Sequence, residues 1–235
     1  MEQIIKPVIL KFESEVIAVR KLTDDVKEII LQKPADFSFV PGQFITLILQ
    51  KEGKEFRRSY SIASKDNNGN IELCIKILKE GQGTSLIDNW NIGEIIKAIG
   101  PLGKFVLDNK SKDKDIVFVS TGTGITPFRS MIYYALKHNF GRNIFLVAGY
   151  KNEADILYDK EFKQLATHYK NFSYHAVLSR SVTQEKKYVQ DMLEEIFNPT
   201  ADYYICGLKD MIFSVRDLLL EKGVPQEQIF FERYD

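Results

Sequence analysis

The chain has 235 residues, of which 44% are apolar, and its 32 lysines and arginines are balanced by 32 aspartates and glutamates. That length suits one large or two modest domains, and the balanced charge argues against nucleic acid as a partner. No apolar run reaches the roughly 20 residues that a membrane-spanning helix needs, so membrane insertion is not expected. The two cysteines, Cys74 and Cys206, cannot form a disulfide framework or a metal site on their own, and they are typical of a reducing cytoplasm.

The first 108 residues are predicted to form an antiparallel β-barrel. They contain short segments rich in isoleucine and valine, and turn residues such as Pro41-Gly42 and Gly93 separate them. The predicted strands are SEVIAVRKL (14–22), VKEIILQK (26–33), QFITLIL (43–49), RRSYSIAS (57–64), IELCIKIL (71–78) and EIIKAIG (94–100). Six short strands in about 90 residues favour a barrel or a sandwich. One short helix is predicted around TSLIDNW (84–90).

The second half, residues 109–235, is predicted to be an α/β domain with a parallel sheet. A polar, charged stretch at residues 108–115, DNKSKDKD, is typical of a linker between the two domains. After it, strands alternate with helices of about ten residues, a pattern that indicates a parallel sheet covered on both faces. The predicted strands are DIVFVS, NIFLVAGY, FSYHAVLS, DYYICG and QIFFER, and the predicted helices are PFRSMIYYALKH, YDKEFKQLATHY, YVQDMLEEIF and MIFSVRDLLLEKG.

The segment STGTGITP (120–127) follows the first strand of this half and begins its first helix. Gly122 and Gly124 permit a tight turn and a close approach of the backbone to a pyrophosphate, and a helix N-terminus favours an anion. Thr126 is predicted as the N-cap and Pro127 as the first helical residue. The pattern therefore indicates a nucleotide loop, although a glycine turn of an ordinary α/β domain would also explain it.

Basic and aromatic residues follow two later strands of the α/β half. Arg180 comes directly after FSYHAVLS, and Lys186, Lys187 and Tyr188 follow. An arginine and a lysine at this strand end suit a ribose 2′-phosphate, and a tyrosine suits stacking on adenine. A solvated charged loop is the alternative. Cys206 ends the next strand, where it is either a small apolar residue or a group that faces the ligand.

The segment RRSYSIAS places Arg58 and Tyr60 on one face of a strand, because side chains alternate between faces. One side chain can then pair with a phosphate while the ring two residues later packs on a planar apolar ligand. An edge strand with protective charge would explain the arginines but not the rest of the segment. Arg57 lies outside this pattern and is expected to be solvated.

Together these segments resemble the ferredoxin–NADP reductase superfamily, the two-domain flavin reductases. The matching motifs are R-x-Y-S at 58–61, GQGTS at 81–85, GTGITP at 122–127, GYKNEADILY at 149–158, CGLKDM at 206–211 and FFERYD at 230–235. The sequence departs from the family pattern at Thr84, where serine is common, and at Lys151, where arginine is usual. The resemblance implies a Greek-key, flavin-binding barrel at residues 1–108 and an NAD(P)-binding α/β domain at residues 109–235.

The resemblance also implies a set of site residues. Arg58 is expected to bind the flavin phosphate, Tyr60 to lie against the flavin, and Ser61 to hydrogen-bond near flavin N5. The remaining expected cofactor contacts are Gly81, Gly83, Thr84 and Ser85 at the flavin phosphate, Thr121, Gly122, Thr123 and Gly124 at the nicotinamide nucleotide, Arg180, Lys187 and Tyr188 at its 2′-phosphate and adenine, and Cys206, Gly207 and Met211 beside the nicotinamide. Ser61, Cys206 and Glu232 are the expected catalytic residues.

The function that the resemblance implies is electron transfer between NAD(P)H and a separate one-electron carrier through bound FAD. FAD is expected rather than FMN because most members of the family with this layout use it. NADPH is expected rather than NADH because Arg180, Lys186 and Lys187 follow the strand FSYHAVLS and no acidic residue stands at its end. The expected partner is a small iron–sulfur protein or a flavodoxin. Three alternatives remain: the reductase component of an oxygenase, a free-flavin reductase, and a catalytically silent electron-transfer subunit.

Overall fold

A computed structural model describes residues 7–67, 69–78, 80–183 and 185–234. The chain splits into two compact units, one extending to Val106 and including Arg129–Met131, the other comprising Leu107–Phe128 and Ile132–Asp235. None of the helices in the described part of the chain combines the length and the apolar composition that a bilayer-spanning helix requires. The described residues also contain no group of three or more His, Cys, Asp or Glu side chains suited to a metal ion.

The first unit is a curled antiparallel sheet of six strands with the order β4-β3-β6-β1-β2-β5. Its elements are β1 Leu10–Lys21, β2 Val26–Leu31, β3 Phe44–Lys51, β4 Lys54–Ser61, β5 Ile71–Lys76, α1 Gln82–Ile87 and β6 Ile95–Leu102. Beyond the end of β4, Ile62 forms a bridge to Leu73 of β5. This bridge joins the two outer strands of the sheet, so the predicted antiparallel barrel is confirmed.

The alternating side chains of β3 explain how the barrel fills its interior. Ile45, Leu47 and Leu49 point inward and belong to one buried apolar cluster, whereas Gln50 and Lys51 are exposed at the strand end. A tight turn through Glu52 and Gly53, both with positive φ, then reverses the chain into β4. Positive φ costs glycine little, so a glycine at this turn is expected. The hairpin fixes the register that carries the R-x-Y-S motif.

The second unit is a parallel five-stranded sheet with the order β11-β10-β7-β8-β9. Its elements are β7 Ile116–Thr121, α2 Ile125–Lys137, β8 Ile144–Tyr150, α3 Asp159–His168, β9 Phe172–Leu178, α4 Val189–Glu195, β10 Asp202–Gly207, α5 Lys209–Glu221 and β11 Ile229–Arg233, with 3-10 turns at Asn109–Ser111, Gly122–Gly124, Glu153–Asp155 and Gln226–Gln228. β10 is buried along its whole length, as a central parallel strand should be. The predicted α/β sheet is therefore confirmed.

The interpretation of residues 108–115 as a linker needs a correction, because the segment is bound to the second unit. Ser111 is fully buried, and its hydroxyl donates to Asp202 Oδ2 at 2.7 Å and lies 2.8 Å from the Tyr204 hydroxyl. Lys114 Nζ donates to the other oxygen of Asp202 at 2.7 Å. The polar composition of this segment therefore includes a buried hydrogen-bond network at Ser111 and Lys114, while Asn109, Lys110, Lys112 and Asp113 are exposed.

The first helix of the second unit begins earlier than predicted. A 3-10 turn at Gly122–Gly124 continues directly into α2, whose first residue is Ile125. Thr126 therefore lies inside the helix, where its hydroxyl donates back to the Thr123 carbonyl at 2.6 Å. The prediction of Thr126 as the N-cap is wrong, because the preceding turn already supplies helical geometry before the threonine is reached.

Candidate functional site

In the first unit, Arg58 of β4 lies against the start of α1. A Cβ added at Gly83 would meet Arg58 Cγ at 3.0 Å, Leu49 Cδ1 at 3.3 Å and Phe56 Cε2 at 3.5 Å. Glycine at this position lets the helix pack closely on the strand that carries the arginine. The Arg58 side chain is exposed, sits 5.3 Å over the Phe56 ring and donates to the Arg57 carbonyl at 2.8 Å. The R-x-Y-S and GQGTS motifs are thus brought together in space.

Tyr60 and Ser61 occupy the last two positions of the same strand. Tyr60 is half-buried, and burial raises the pKa of its phenol to about 12, although the Arg58 charge opposes the change. The phenol therefore stays neutral at physiological pH and presents an apolar ring with a hydroxyl tip. Ser61 is 5% exposed. A strand that ends with a guanidinium, a neutral ring and a hydroxyl offers the contacts that a flavin and its phosphate require.

The hydroxyls of the GQGTS segment bind backbone groups of the turn that precedes and begins α1. The Thr84 hydroxyl donates to the Leu78 carbonyl at 3.0 Å and accepts from the Leu78 N–H at 3.1 Å. The Ser85 hydroxyl donates to the Gln82 carbonyl at 3.1 Å. These contacts close the turn before α1, at whose start Gly81 is the N-cap without a side-chain cap. The backbone N–H groups of the first helical turn are therefore the more direct donors to a phosphate.

In the second unit, the loop between β7 and α2 lies against the carboxyl end of β10. Gly122 has a φ of +53°, a conformation that glycine adopts without strain. A Cβ at Gly124 would lie 2.2 Å from the Cys206 carbonyl oxygen and 2.9 Å from Gly207 Cα. Only glycine fits at this contact, so the loop of residues 121–124 and the C-G-x-x-x-M motif form a single site.

Two buried hydroxyls at the end of β7 point to a ligand at this site. Ser120 Oγ and Thr121 Oγ1 have no hydrogen-bond partner among the described residues. Buried polar atoms are nearly always paired, so unpaired ones deserve an explanation. Gly207 has a φ of +153°, and a Cβ there would meet Thr121 Oγ1 at 2.5 Å and the Met211 methyl at 2.8 Å. A residue larger than glycine at position 207 would therefore collide with Thr121 and Met211, so the strand end and the loop pack closely around the two unpaired hydroxyls.

Three polar side chains occupy paired positions on adjacent strands of the second unit. In the parallel register Cys206 is paired with Ser120 on one side and with Glu232 on the other. Burial raises the pKa of the Cys206 thiol well above its ordinary value, and the Glu232 charge adds to the rise, while a hydrogen bond from Tyr234 opposes it. The thiol therefore remains protonated. Of the three expected catalytic residues, Cys206 and Glu232 are paired on adjacent strands of the second unit, and Ser61 belongs to the first unit.

The expected site residues did not include two residues at this end of the sheet. Ser120 is fully buried and lies beside Cys206. The Tyr234 backbone N–H donates to the Gly207 carbonyl at 3.1 Å, which places this tyrosine at the same strand end. The signal for Ser120 was its position as a polar residue at the end of an otherwise apolar strand. For Tyr234 the signal was the parallel register of the last strand, which a sequence alone does not reveal.

The residues expected at the 2′-phosphate follow β9. Arg180 is exposed, and its backbone N–H donates to the Lys151 carbonyl at 2.8 Å, which extends the pairing of β8 and β9. Lys187 forms an ion pair with Glu195 at 2.8 Å, which raises the pKa of its ammonium and supplies it with a counterion. Lys186 is exposed and has no ion pair among the described residues. Tyr188 is 62% exposed and caps α4.

The residues of both units fit the cofactors that the motifs imply. The first unit brings an exposed guanidinium and a half-buried neutral ring to a helix start where Gly83 allows close packing. The second unit provides a glycine-containing loop at residues 121–124 and two unpaired buried hydroxyls at the carboxyl ends of parallel strands. Nucleotides bind at these strand ends in open α/β sheets. The fold and the site define a two-unit oxidoreductase that binds a flavin and a nicotinamide nucleotide.

Comparison with known proteins names the family of this oxidoreductase. Residues 13–107 match the family model of the oxidoreductase FAD-binding domain, and residues 118–217 match that of the oxidoreductase NAD-binding domain. The chain is 34% identical over 240 residues to ferredoxin–NADP reductase B of Sorangium cellulosum, a match that covers 95% of this chain and 98% of that protein. The chain belongs to the ferredoxin–NADP reductase superfamily.

Other relatives and solved structures agree with this assignment. The toluate 1,2-dioxygenase electron transfer component of Pseudomonas putida is 24% identical, with 95% of this chain and 67% of that protein covered. A ferredoxin–NADP⁺ reductase from Neisseria gonorrhoeae with bound FAD and NADP has the same fold, with a TM-score of 0.86, 20% identity and coverage of 95% and 98%. The Plasmodium falciparum ferredoxin–NADP⁺ reductase with 2′P-AMP gives a TM-score of 0.82, 26% identity and coverage of 95% and 96%.

Proposed function

We propose that the chain is an NADPH-dependent reductase that passes electrons through bound FAD to a separate one-electron carrier, a ferredoxin or a flavodoxin. The observation that carries the proposal is the row of Ser120, Cys206 and Glu232 at the carboxyl ends of adjacent strands, beside the glycine loop. The match to a ferredoxin–NADP reductase over 98% of that protein's length supports the carrier as partner.

The chain's own residues account for the binding and orientation that such a reaction needs. FAD, when bound, takes up two electrons together from a nicotinamide and can release them singly. Arg58 pairs with its phosphate and Tyr60 packs against its ring. The protonated Cys206 thiol and the neighbouring Glu232 carboxylate border the nicotinamide, where they orient the ring by contact and by hydrogen bonding. Ser61, buried at the end of β4, is suited to donate a hydrogen bond at flavin N5.

The preference for NADPH rests on the exposed cations that follow β9. Arg180 and Lys186 are exposed, and neither forms an ion pair with any described residue, so both are available to a 2′-phosphate. Lys187 is less suited to this role because Glu195 already neutralises it. The similarity to the Plasmodium falciparum reductase, whose structure contains 2′P-AMP, supports the same preference.

The first experiment measures the flavin and its reduction. The purified protein should show a flavin absorbance spectrum, release FAD on denaturation, and lose the absorbance of oxidised flavin on anaerobic addition of NADPH. Arg180→Ala should raise the KM for NADPH about tenfold while changing the KM for NADH less than twofold, because only NADPH carries the 2′-phosphate. Arg142→Ala is the matched control, since Arg142 is exposed and precedes β8 at the opposite strand end.

Two results would overturn this proposal in different ways. A protein that is colourless and unaffected by added FAD is not a flavoprotein reductase. A protein that oxidises NADH and NADPH equally well, with equal effects of Arg180→Ala on both, does not use Arg180 for the 2′-phosphate. Reduction of a ferredoxin or flavodoxin is followed separately, by coupling the carrier to cytochrome c.

The second candidate function is the reductase component of an oxygenase. Its support is the similarity to oxygenase electron transfer components such as that of Pseudomonas putida, in which the matching part is 67% of the relative. The two functions differ in partner. A general reductase reduces a ferredoxin or flavodoxin alone at a rate close to its maximal rate, whereas an oxygenase component requires its own oxygenase partner for rapid turnover.

A further inference from the structure

A carboxylate in the turn after β8 binds two hydroxyls from the loop after β9. Glu153 Oε1 accepts hydrogen bonds from Ser181 Oγ at 2.5 Å and from Thr183 Oγ1 at 2.6 Å. The Ser181 hydroxyl also accepts the Thr183 backbone N–H at 3.1 Å. These three residues, here called the Glu153 clamp, join two segments that are 28 to 30 residues apart in the chain.

The clamp continues the backbone pairing of the two strands beyond their ends. The Ser179 N–H donates to the Tyr150 carbonyl at 3.0 Å, and the Arg180 N–H donates to the Lys151 carbonyl at 2.8 Å. The side-chain contacts of Glu153 come directly after these backbone contacts. The two segments are therefore fixed to each other from the sheet out to Thr183.

The clamp has the chemistry of a strong contact. Ser181 is only 3% exposed, so its hydroxyl needs a partner within the protein. The hydrogen bonds from Ser181 and then Thr183 lower the pKa of the Glu153 carboxyl, which is therefore ionised at neutral pH. Hydrogen bonds to an ionised acceptor are shorter and stronger than those between neutral groups.

The clamp also determines which charges remain available. Lys151 and Arg180 are exposed on the two clamped segments, and neither forms an ion pair with any described residue. A carboxylate two residues from Lys151 would ordinarily be a counterion for one of these cations. Because Glu153 instead accepts two hydroxyls, it forms an ion pair with neither cation, and both cations lie on segments that backbone hydrogen bonds hold together.

We propose that Glu153 is a positioning residue for nucleotide discrimination: by holding Ser181 and Thr183 it keeps Lys151 and Arg180 placed and unpaired for the 2′-phosphate of NADPH. This inference rests on the proposed use of NADPH. Glu153 does not itself touch the nucleotide in this scheme. The proposal has an unusual consequence: the negative charge of Glu153 improves the binding of the anionic 2′-phosphate. Removing Glu153 should therefore weaken the binding of NADPH and not strengthen it.

The test compares Glu153→Ala with the wild type in steady-state kinetics and in calorimetric binding of adenosine 2′-monophosphate. The clamp predicts a KM for NADPH raised about tenfold, an unchanged kcat, a KM for NADH changed less than twofold, and weaker binding of the fragment. The KM of Glu153→Gln for NADPH should lie between those of the wild type and Glu153→Ala, because the amide oxygen of the glutamine still accepts one hydrogen bond. Glu227→Ala is the matched control, since Glu227 is an exposed carboxylate beside β11, at the opposite edge of the sheet.

A hydroxyl variant gives a second, independent measurement. In Ser181→Ala/Thr183→Val the carboxylate is released while its charge remains, so it can neutralise Arg180 or Lys151. The KM for NADPH should rise more than in Glu153→Ala, and adding Glu153→Ala to this variant should restore part of the loss. Circular dichroism and flavin content check that each variant is folded. If the double variant does not fold, Thr183→Val alone replaces it, because Thr183 is exposed.

Each other outcome overturns the proposal. If Glu153→Ala binds NADPH more tightly, Glu153 acts only by its charge, and the clamp has no positioning role. If Glu153→Ala and the wild type bind the fragment equally, the clamp is structural only, while the proposed use of NADPH stands. If the wild type binds no adenosine 2′-monophosphate and does not distinguish NADPH from NADH, the NADPH proposal fails and the clamp proposal fails with it.

Discussion

Cys206 illustrates how a strand end changes the chemistry of one side chain. The thiol is fully buried and lies in register with Glu232, and both effects raise its pKa. A thiolate is the reactive form of cysteine, so a protonated and inaccessible thiol is a poor nucleophile. A buried, protonated thiol at this position is thus suited to packing and is a poor nucleophile, which agrees with the proposed role of Cys206 as a contact and not as a covalent catalyst.

We expect the Cys206 thiol to resist modification in the folded protein. In a Cys74→Ala variant, which leaves Cys206 as the single thiol, reaction with 5,5′-dithiobis(2-nitrobenzoate) at pH 8 should be at least about a hundredfold slower in buffer than in denaturant. The rate in buffer should rise with pH beyond the range in which an ordinary thiol ionises, because the thiol's pKa is raised. Equal rates in buffer and in denaturant would contradict both the burial and the shift.

At the level of residues, local patterns predicted the motifs but not the contacts that complete them. Arg58 and Gly83 are recognised separately in the sequence, and only the fold places Arg58 so close to Gly83 that an added Cβ would lie 3.0 Å from Arg58 Cγ. The unpaired hydroxyl of Ser120 and the clamp at Glu153 depend on neighbours distant in sequence. A one-dimensional pattern contains residue types and spacings, and it does not contain the burial that makes a hydroxyl or a carboxylate informative.

At the level of elements, the buried network of Ser111, Lys114 and Asp202 attaches the segment before β7 to the first residue of β10. Asp202 is 1% exposed and accepts hydrogen bonds from both Ser111 and Lys114. Removing one partner of a buried charged pair leaves the other charge buried without a counterion. The resulting loss of folding free energy is larger than the stabilisation that the intact pair provides. The Lys114 side chain is 36% exposed, so solvent lessens that cost.

We therefore expect Asp202→Asn to lower the free energy of unfolding by about 1–3 kcal/mol, as measured by urea denaturation. Asp217→Asn is the matched control, because Asp217 pairs with Arg216 at 2.7 Å with a half-exposed carboxylate. Breaking that surface pair should cost less than about 1 kcal/mol. Equal losses in the two variants would show that the buried network contributes no more than a surface ion pair.

Strand and helix order was predictable because hydrophobic periodicity is a local property, whereas the ends of elements depended on tertiary contacts. The prediction located every strand of both sheets, yet it began α2 at Pro127 and treated residues 108–115 as a linker. In both places polar residues are interpreted by their usual preference: Thr126 as a cap and the segment that contains Ser111 as a linker. The structure gives both hydroxyls a partner of a different kind.

At the level of the whole molecule, the change of pattern near residue 108 predicted two domains of different class, and the order of six motifs predicted the family that the relatives confirm. Cofactor specificity is less accessible to sequence. NADPH and NADH differ by one phosphate, and the protein's response to it depends on which cations remain unpaired after folding. Lys187 has a counterion in the structure and Arg180 does not, a difference that their equal formal charges hide.

The two adjacent arginines of β4 allow the flavin site to be tested by stability. A ligand that binds only the folded protein stabilises it by about 2.7 kcal/mol at a concentration a hundred times its Kd. For flavin-stripped protein of this size, such a concentration of FAD should raise the Tm by roughly 5–10 °C. Arg58, which faces α1 at Gly83, is expected to pair with the flavin phosphate; Arg57 points to the other face and pairs with Glu55 at 3.5 Å.

Arg58→Ala should therefore lose most of this stabilisation, whereas Arg57→Ala should retain it. Loss of a hydrogen-bonded charge pair worth about 2 kcal/mol weakens binding roughly thirtyfold and leaves about 1 kcal/mol of stabilisation at the same FAD concentration. The measurement is a thermal melt of each stripped variant with and without FAD, followed by circular dichroism. The two variants remove the same charge from neighbouring positions of one strand, so a general electrostatic effect would shift both melts alike. Different Tm shifts on addition of FAD in the two variants are expected only if the phosphate binds on the face that carries Arg58 and Tyr60.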